Sequence, residues 1–190
     1  MNRLTVDEFH KVKKMPLIVI LDDVRSLYNV GSIFRTADAF RVKAIYLCGI
    51  TATPDVVKDA EGTIIRDCTL KATQEIHKTA LGAEESVEWR YFKTAEEAVK
   101  TAKNNGFNVL AVEQVHGSTM LGDFSPQWNE DGNTGGYAVV LGNEVKGVHQ
   151  EVVDICDGCL EIPQYGTKHS LNVSITGGII IWHFAERYKG

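Results

Sequence analysis

PLIVILDDVRSLYNVGSIFRTADAFRVKAIYLC, residues 16–48, reads as a strand, a turn, a helix and a second strand. The apolar runs at 17–21 and 44–48 are too short for helices and suit buried strands. Between them Val30, Ile33, Phe34, Ala37 and Phe40 recur at i, i+3, i+4, i+7 and i+10, which lays one apolar stripe along a helix over 29–40. Gly31, Arg35 and Asp38 fall on the other side of that helix, and Asn29 stands where an N-cap belongs. Two strands joined through a helix lie parallel, so this stretch predicts an α/β fold with a mostly parallel sheet flanked by helices.

Working outward, further strands are expected at 87–92, 108–113, 137–141 and 159–162. A helix is expected over 94–105, with Gly106 as its C-terminal stop, and a weaker one over 73–81. A long helix over 170–188 closes the chain, apolar through Ile175, Ile179, Ile180 and Trp182, with Ser170 as its N-cap. The stretches 51–71 and 118–136 mix turn residues with charges and read as surface loops or insertions. The organisation expected is a short basic N-terminal extension, 1–15, followed by one domain, 16–190.

Composition narrows the function. The 190 residues are 44% hydrophobic and 24% charged, an ordinary globular balance. The net charge of −5 excludes a wholly basic nucleic-acid coat. It is polarised, however: residues 1–43 hold 8 basic and 5 acidic side chains, so a polyanion should meet the N-terminal part. No apolar run approaches a membrane span, and the N-terminus lacks a secretory pattern, so a cytoplasmic setting with Cys48, Cys68, Cys156 and Cys159 as reduced thiols is expected. No two glycines are spaced i, i+2, which removes the GxGxxG dinucleotide turn and the glycine-rich loop of Rossmann-type methyltransferases. A phosphate loop, a nucleophile elbow and an HExxH helix are missing too. Cys156 and Cys159 form a CxxC without a second ligand pair, so no metal is expected.

Two more stretches carry polar groups where ligands bind. In YAVVLGNEVKGV, 137–148, a buried strand runs into a glycine-bounded turn holding Glu144, the place beyond a strand's carboxyl end where parallel sheets bind ligands. Taken alone it also fits a tight turn whose Glu144 accepts backbone N–H bonds. In IPQYGTKHSLNVSITGGIIIW, 162–182, Ser170 and Asn172 bring a hydroxyl and an amide to a helix N-terminus, where free N–H groups collect; His169 reads as a loop residue rather than a ligand. The first stretch alone equally fits a capped surface helix with an Arg35 to Asp38 ion pair. As a ligand site, Gly31 would bare the backbone and leave room beside the Arg35 guanidinium.

Together and in this order these stretches resemble the SPOUT superfamily, specifically the SpoU/TrmH-type RNA ribose 2′-O-methyltransferases. Asn29, Gly31, Arg35 and Ala37 match the first motif; Gly142, Asn143, Glu144 and Gly147 the second; Ile162, Pro163, Ser170, Leu171, Asn172 and Val173 the third. Thr176-Gly177 departs from the small apolar pair often found there, and 51–71 is longer than usual. The resemblance implies a trefoil knot in the C-terminal part, against the general rule that connections are unthreaded. It implies S-adenosylmethionine (AdoMet) as cofactor, held at Leu141, Gly142, Ile162 and Leu171, and a homodimer in which Arg35 acts on cofactor held by the other chain. Ile175, Ile179 and Trp182 would supply an apolar face to that dimer.

The catalytic set implied is Arg35, Asn29, Glu144, Ser170 and Asn172. A guanidinium is a poor base near neutrality, so Arg35 is expected to stabilise the developing alkoxide or grip the adjacent phosphate, while a water or backbone carbonyl takes the proton. Asn29 and Glu144 would position Arg35 and the loops, and Ser170 and Asn172 would shape the pocket. Family members acting on rRNA often carry a separate N-terminal RNA-binding domain, and about 15 residues precede the first strand here, so tRNA is expected over rRNA. Lys11, Lys13 and Lys14, taken as lying near Arg25, would contact its phosphates. A catalytically silent knotted RNA-binding protein, or a chaperone-like paralogue, is the alternative; the matching polar residues oppose it. A nucleotide-binding oxidoreductase is opposed by the missing GxG.

Overall fold

The computed structural model describes residues 4–128, 135–168 and 170–190. In chain order the strands are β1 (Met15–Asp22), β2 (Val42–Cys48), β3 (Val57–Lys58), β4 (Ile64–Arg66), β5 (Trp89–Phe92), β6 (Asn108–Val112), β7 (Thr119–Met120), β8 (Tyr137–Leu141) and β9 (Gly158–Glu161). The helices are α1 (Val6–Lys11), α2 (Leu27–Ala39), α3 (Leu70–Ala80), α4 (Ala83–Ser86), α5 (Ala95–Asn104), α6 (Gln150–Val153) and α7 (Val173–Ala185). Seven strands form one sheet in the order β5-β2-β1-β8-β6-β9-β7, and every pairing in it is parallel.

The central strand explains its own composition. β1 lies between β2 and β8 and is covered on both faces, so it needs an unbroken apolar run rather than alternation. Leu17, Val19 and Leu21 enter the larger core with α2, α3 and α7, while Ile18 and Ile20 enter the smaller one with α5. From β1 the chain builds β2 and β5 on one side and then crosses to β6 on the other, with β8 inserted between. The carboxyl ends of β1 and β8, level at Leu21 and Leu141, therefore mark the switch point where a parallel sheet opens a crevice.

Several expected boundaries move. α2 starts at Leu27, because Ser26 caps it by accepting from Asn29 N at 3.3 Å; Asn29 is one turn inside and is not the cap. α7 starts at Val173, and Asn172, not Ser170, is its cap, accepting from Ser174 N at 2.9 Å and Ile175 N at 3.4 Å. α3 begins at Leu70 on a Thr69 cap, earlier than expected. The stretch 51–71 is not all loop: β3 and β4 form an antiparallel hairpin whose turn is drawn in by Asp59, which accepts from Glu61 N and Thr63 N. Strands of two and three residues are too short to leave a periodic signal. Within 118–136, β7 and a 3₁₀ turn at Leu121–Asp123 replace part of the expected loop; 129–134, like His169, lie outside the described residues. Ahead of β1, α1 is closed by a Thr5/Glu8 capping box and buries Phe9 in the larger core.

Candidate active site

The turn after β8 is built from main chain. A Cβ on Gly142 would stand 2.1 Å from Gly147 C and from Val148 N, so glycine alone allows the two arms to meet. Asn143 and Gly147 exchange both backbone hydrogen bonds at 2.9 Å, and Asn143 Nδ2 donates to Asp23 O at 2.8 Å. From the end of β6, Glu113 accepts from Val148 N at 3.0 Å and Gln114 N at 2.9 Å. The loop is thus fixed before any ligand arrives.

Beside it opens a cavity of about 340 Å³, within the range of small-ligand sites. All four residues expected to hold the cofactor, Leu141, Gly142, Ile162 and Leu171, line it, together with Glu144 and Ser170. Glu113, Glu161 and Lys146 line it as well, so three acidic residues and one basic residue surround the space, a net negative setting for a cationic sulfonium and ammonium. Size, sign of charge and exposed backbone fit AdoMet.

Glu144 ties the three motif stretches together. Its carboxylate accepts from Arg25 N (3.0 Å), Ser26 N (2.9 Å) and Asn29 Nδ2 (3.1 Å). Asn172 Nδ2 in turn donates to Asn29 Oδ1 at 3.1 Å, while its own Oδ1 caps α7. Burial alone would raise the Glu144 pKa, but the N–H donors outweigh it and hold the carboxyl below its usual range. The backbone N–H bonds foreseen for Glu144 are present, and their donors, Arg25 and Ser26, belong to the first motif stretch rather than to the Glu144 turn itself.

Arg35 lies elsewhere. Exposed on α2, it lines a separate groove against α1 and α4 and does not line the cavity. Its expected partner Asp38 is engaged by Ser86, whose Oγ donates to Asp38 Oδ1 at 2.5 Å, and no Arg35 to Asp38 ion pair forms. Gly31 does not leave room for a ligand: α3 fills that space, with Thr79 Oγ1 2.1 Å and Ile76 O 2.4 Å from where a Cβ would be. It is a helix-packing glycine.

The expected basic patch separates too. Lys11, Lys13 and Lys14 precede β1 and Arg25 follows it, so eight strand residues, roughly 25 Å, stand between them. Lys14 Nζ donates to Phe9 O and lies over the Phe9 ring, and burial lowers its pKa; Lys13 reaches over Tyr188 at 5.9 Å. Lys11 and Arg25 are exposed.

Sequence reading missed the link behind the loop. Asp22, 3% exposed, accepts from His149 N at 3.1 Å and pairs with His149 Nδ1 at 2.9 Å, and burial raises its pKa. With Asp23 these side chains come within 4.8 Å of one another. Their bonding groups are already committed, Asp22 to His149 and Asp23 to Ile50 N at 2.9 Å, so the cluster reads as a brace for the 142–148 loop. The adjacent acids at the end of β1 were the one visible hint.

Comparison with known proteins agrees with this geometry. The profile of the SpoU rRNA Methylase family matches residues 16–182. A tRNA (guanosine(18)-2′-O)-methyltransferase of Aquifex aeolicus is 32% identical over 180 residues, covering 93% of this chain and 72% of that protein. A 23S rRNA (guanosine-2′-O-)-methyltransferase of Neisseria meningitidis serogroup B is 27% identical, covering 92% and 60%. Among solved structures, the A. aeolicus TrmH/SpoU tRNA modifying enzyme superposes with a TM-score of 0.70 at 27% identity, over 96% of this chain and 80% of that one. The AdoMet-bound rRNA methyltransferase from Sinorhizobium meliloti reaches 0.73 at 23% identity, over 94% and 59%, a likeness of fold. Three motifs in order, joined through Glu144 beside one cavity, and a family match over most of its length lead to one conclusion: the chain belongs to the SpoU methylase family of TrmH/SpoU-type RNA methyltransferases.

Proposed function

We propose that the protein transfers a methyl group from AdoMet to a ribose 2′-hydroxyl of structured RNA, tRNA rather than rRNA, as a cytoplasmic homodimer. The observation that carries this reading is the Glu144–Asn29–Asn172 network, which joins all three motif stretches at the rim of a cavity suited to AdoMet. AdoMet brings an already activated methyl group, so the protein's work is alignment and exclusion of water. Leu141, Gly142, Ile162 and Leu171 form the cofactor walls, Ser170 shapes them, and Asn29, Glu144 and Asn172 hold the loops. Arg35 steadies the developing alkoxide or the neighbouring phosphate.

The position of Arg35 supports the dimer. Within one chain it faces a groove and not the cavity, the arrangement expected if a second chain brings arginine and cofactor together. Ile175 and Trp182 on α7 are 55% and 54% exposed, and Val145 beside the cavity is 79% exposed, an unpartnered apolar surface where that second chain would dock. Ile179 is only partly exposed, packed against the core. The knot implied by the family would enclose the cofactor loops; Gly177 of α7, whose Cβ would lie 3.1 Å from Leu141 Cδ1 and 3.4 Å from Ile33 Cγ1, brings the last helix against β8 and α2. Lys11, Lys13 and Arg25 are exposed and would add phosphate contacts; the choice of tRNA follows the likeness to the Aquifex aeolicus tRNA (guanosine(18)-2′-O)-methyltransferase.

The test is transfer of labelled methyl from AdoMet to unmodified tRNA and rRNA transcripts, with the modified position mapped by resistance to alkaline cleavage. Label on tRNA at a ribose is the expected result. Label on rRNA alone would overturn the substrate choice, and AdoMet binding without transfer to either RNA would favour the silent alternative.

A further inference from the structure

The groove that holds Arg35 has a volume of about 530 Å³ and lies between α1, the C-terminal half of α2 and the turn joining α3 to α4. Leu4, Val6 and Leu81 form an apolar rim, 43%, 41% and 63% exposed. Arg35 and Arg41 supply positive charge, and neither has an ion-pair partner among the described residues. Asp38, the acid in the lining, is occupied by Ser86. Two unpaired guanidinia therefore stand against one engaged carboxylate in the lining, on a chain of net charge −5.

Backbone conformation singles out two of these residues. Arg41 follows the end of α2 with φ 52°, its N–H returning to Asp38 O at 3.1 Å, and Leu81 follows α3 with φ 54°. Glycine ordinarily serves this left-handed position because any Cβ is strained there. Among the described residues three non-glycine positions are left-handed: two line this groove, and the third, Asp23, braces the cofactor loop. A long cation and an exposed leucine at positions suited to glycine point to a use for the side chains.

We propose that this groove seats one nucleotide of the RNA, with its backbone phosphate between Arg35 and Arg41 and its base against Leu4, Val6 and Leu81. The proposal rests on the RNA reading above and deepens it. Arg41 is a binding residue outside the three motifs, and its forked guanidinium, on a backbone held by the helix end, suits a phosphate in a fixed place. The apolar rim accepts the face of any base, so the groove positions RNA without reading its sequence.

Arg41→Gly separates the proposal from its rivals, because it removes the cation and the backbone strain together. The variant should melt at a higher temperature than wild type and bind AdoMet equally well. It should bind a fluorescent unmodified tRNA transcript about tenfold more weakly, with the slope of log affinity against log salt shallower by about 0.9. Leu81→Asn, which tolerates the left-handed backbone, should weaken a single-stranded oligonucleotide several-fold and leave the salt slope unchanged. Unchanged RNA affinity and slope in Arg41→Gly, with wild type binding normally, would overturn the groove while leaving the function intact. A wild type that binds AdoMet but no RNA would overturn the functional reading itself. An Arg41→Gly protein that turns monomeric while wild type is dimeric would show that the groove receives a second copy instead, and would also overturn it.

Discussion

The cavity beside β8 and the groove beside α1 differ in how their polar groups are satisfied. At the cavity the motif side chains and Glu113 are spent on the fold: Glu144 on three N–H donors, Asn143 on two, Glu113 on two, and the neighbouring Asn172 on both a cap and Asn29. Around the groove the guanidinia of Arg35 and Arg41 have no protein partner among the described residues. The first is a rigid mould for a small cofactor. The second is an open surface whose guanidinia are free to meet an anion. The two regions are separate within one chain, and the proposed dimer would bring the groove of one chain to the cavity of the other.

Four substitutions sharpen that contrast, in falling order of effect. Arg35→Ala should reduce methyl transfer by more than a hundredfold, about 2.7 kcal/mol of barrier, with AdoMet affinity by calorimetry within twofold of wild type. Turnover above about a tenth of wild type, a loss of only ~1.4 kcal/mol, would remove Arg35 from the site. Gly142→Ala should do the reverse, abolishing measurable AdoMet binding because a Cβ would meet the Gly147 and Val148 backbone at 2.1 Å. Gly31→Ala should leave both sites chemically intact and lower stability by about 1–3 kcal/mol, read from denaturant unfolding, since α3, which brings Thr79 and Ile76 against Gly31, must move away from α2. The smallest effect concerns pH. Because the Glu144 pKa is lowered in the folded state, its contribution is complete above the unfolded value of 4.5 and is lost as pH falls through the folded value. Glu144→Gln should therefore show less destabilisation than wild type between pH 5 and pH 3; parallel melting curves in the two proteins would argue against the network.

The sequence makes the cavity legible and the groove nearly invisible, for a physical reason. Leu141, Gly142, Ile162 and Leu171 sit in stretches where a strand end, a glycine and a helix cap must recur at fixed spacing, and such spacing survives in one dimension. Ser26 against Asn29, and Ser170 against Asn172, show where the reading loses resolution: each pair contains two good cap formers, and the start of the helix decides which one caps. The Asp22 to His149 bond spans 127 positions and leaves no local trace. Lys14 and Arg25 are close in sequence but are separated by the length of β1, and nothing in residue charge shows it. Gly31 illustrates the converse error, since a small residue next to an arginine can serve a neighbouring helix as readily as a ligand.

Complementation in a purified mixed dimer tests most directly whether two chains build one site. Arg35→Ala and Gly142→Ala chains carrying different tags would be produced together and the heterodimer isolated. Each homodimer should be inactive. The heterodimer, with one intact arginine facing one intact cofactor pocket across the interface, should recover about half of wild-type methyl transfer. If arginine and pocket worked within a single chain, neither chain would hold a complete pair and the heterodimer would be as inactive as its parents, which would contradict the account.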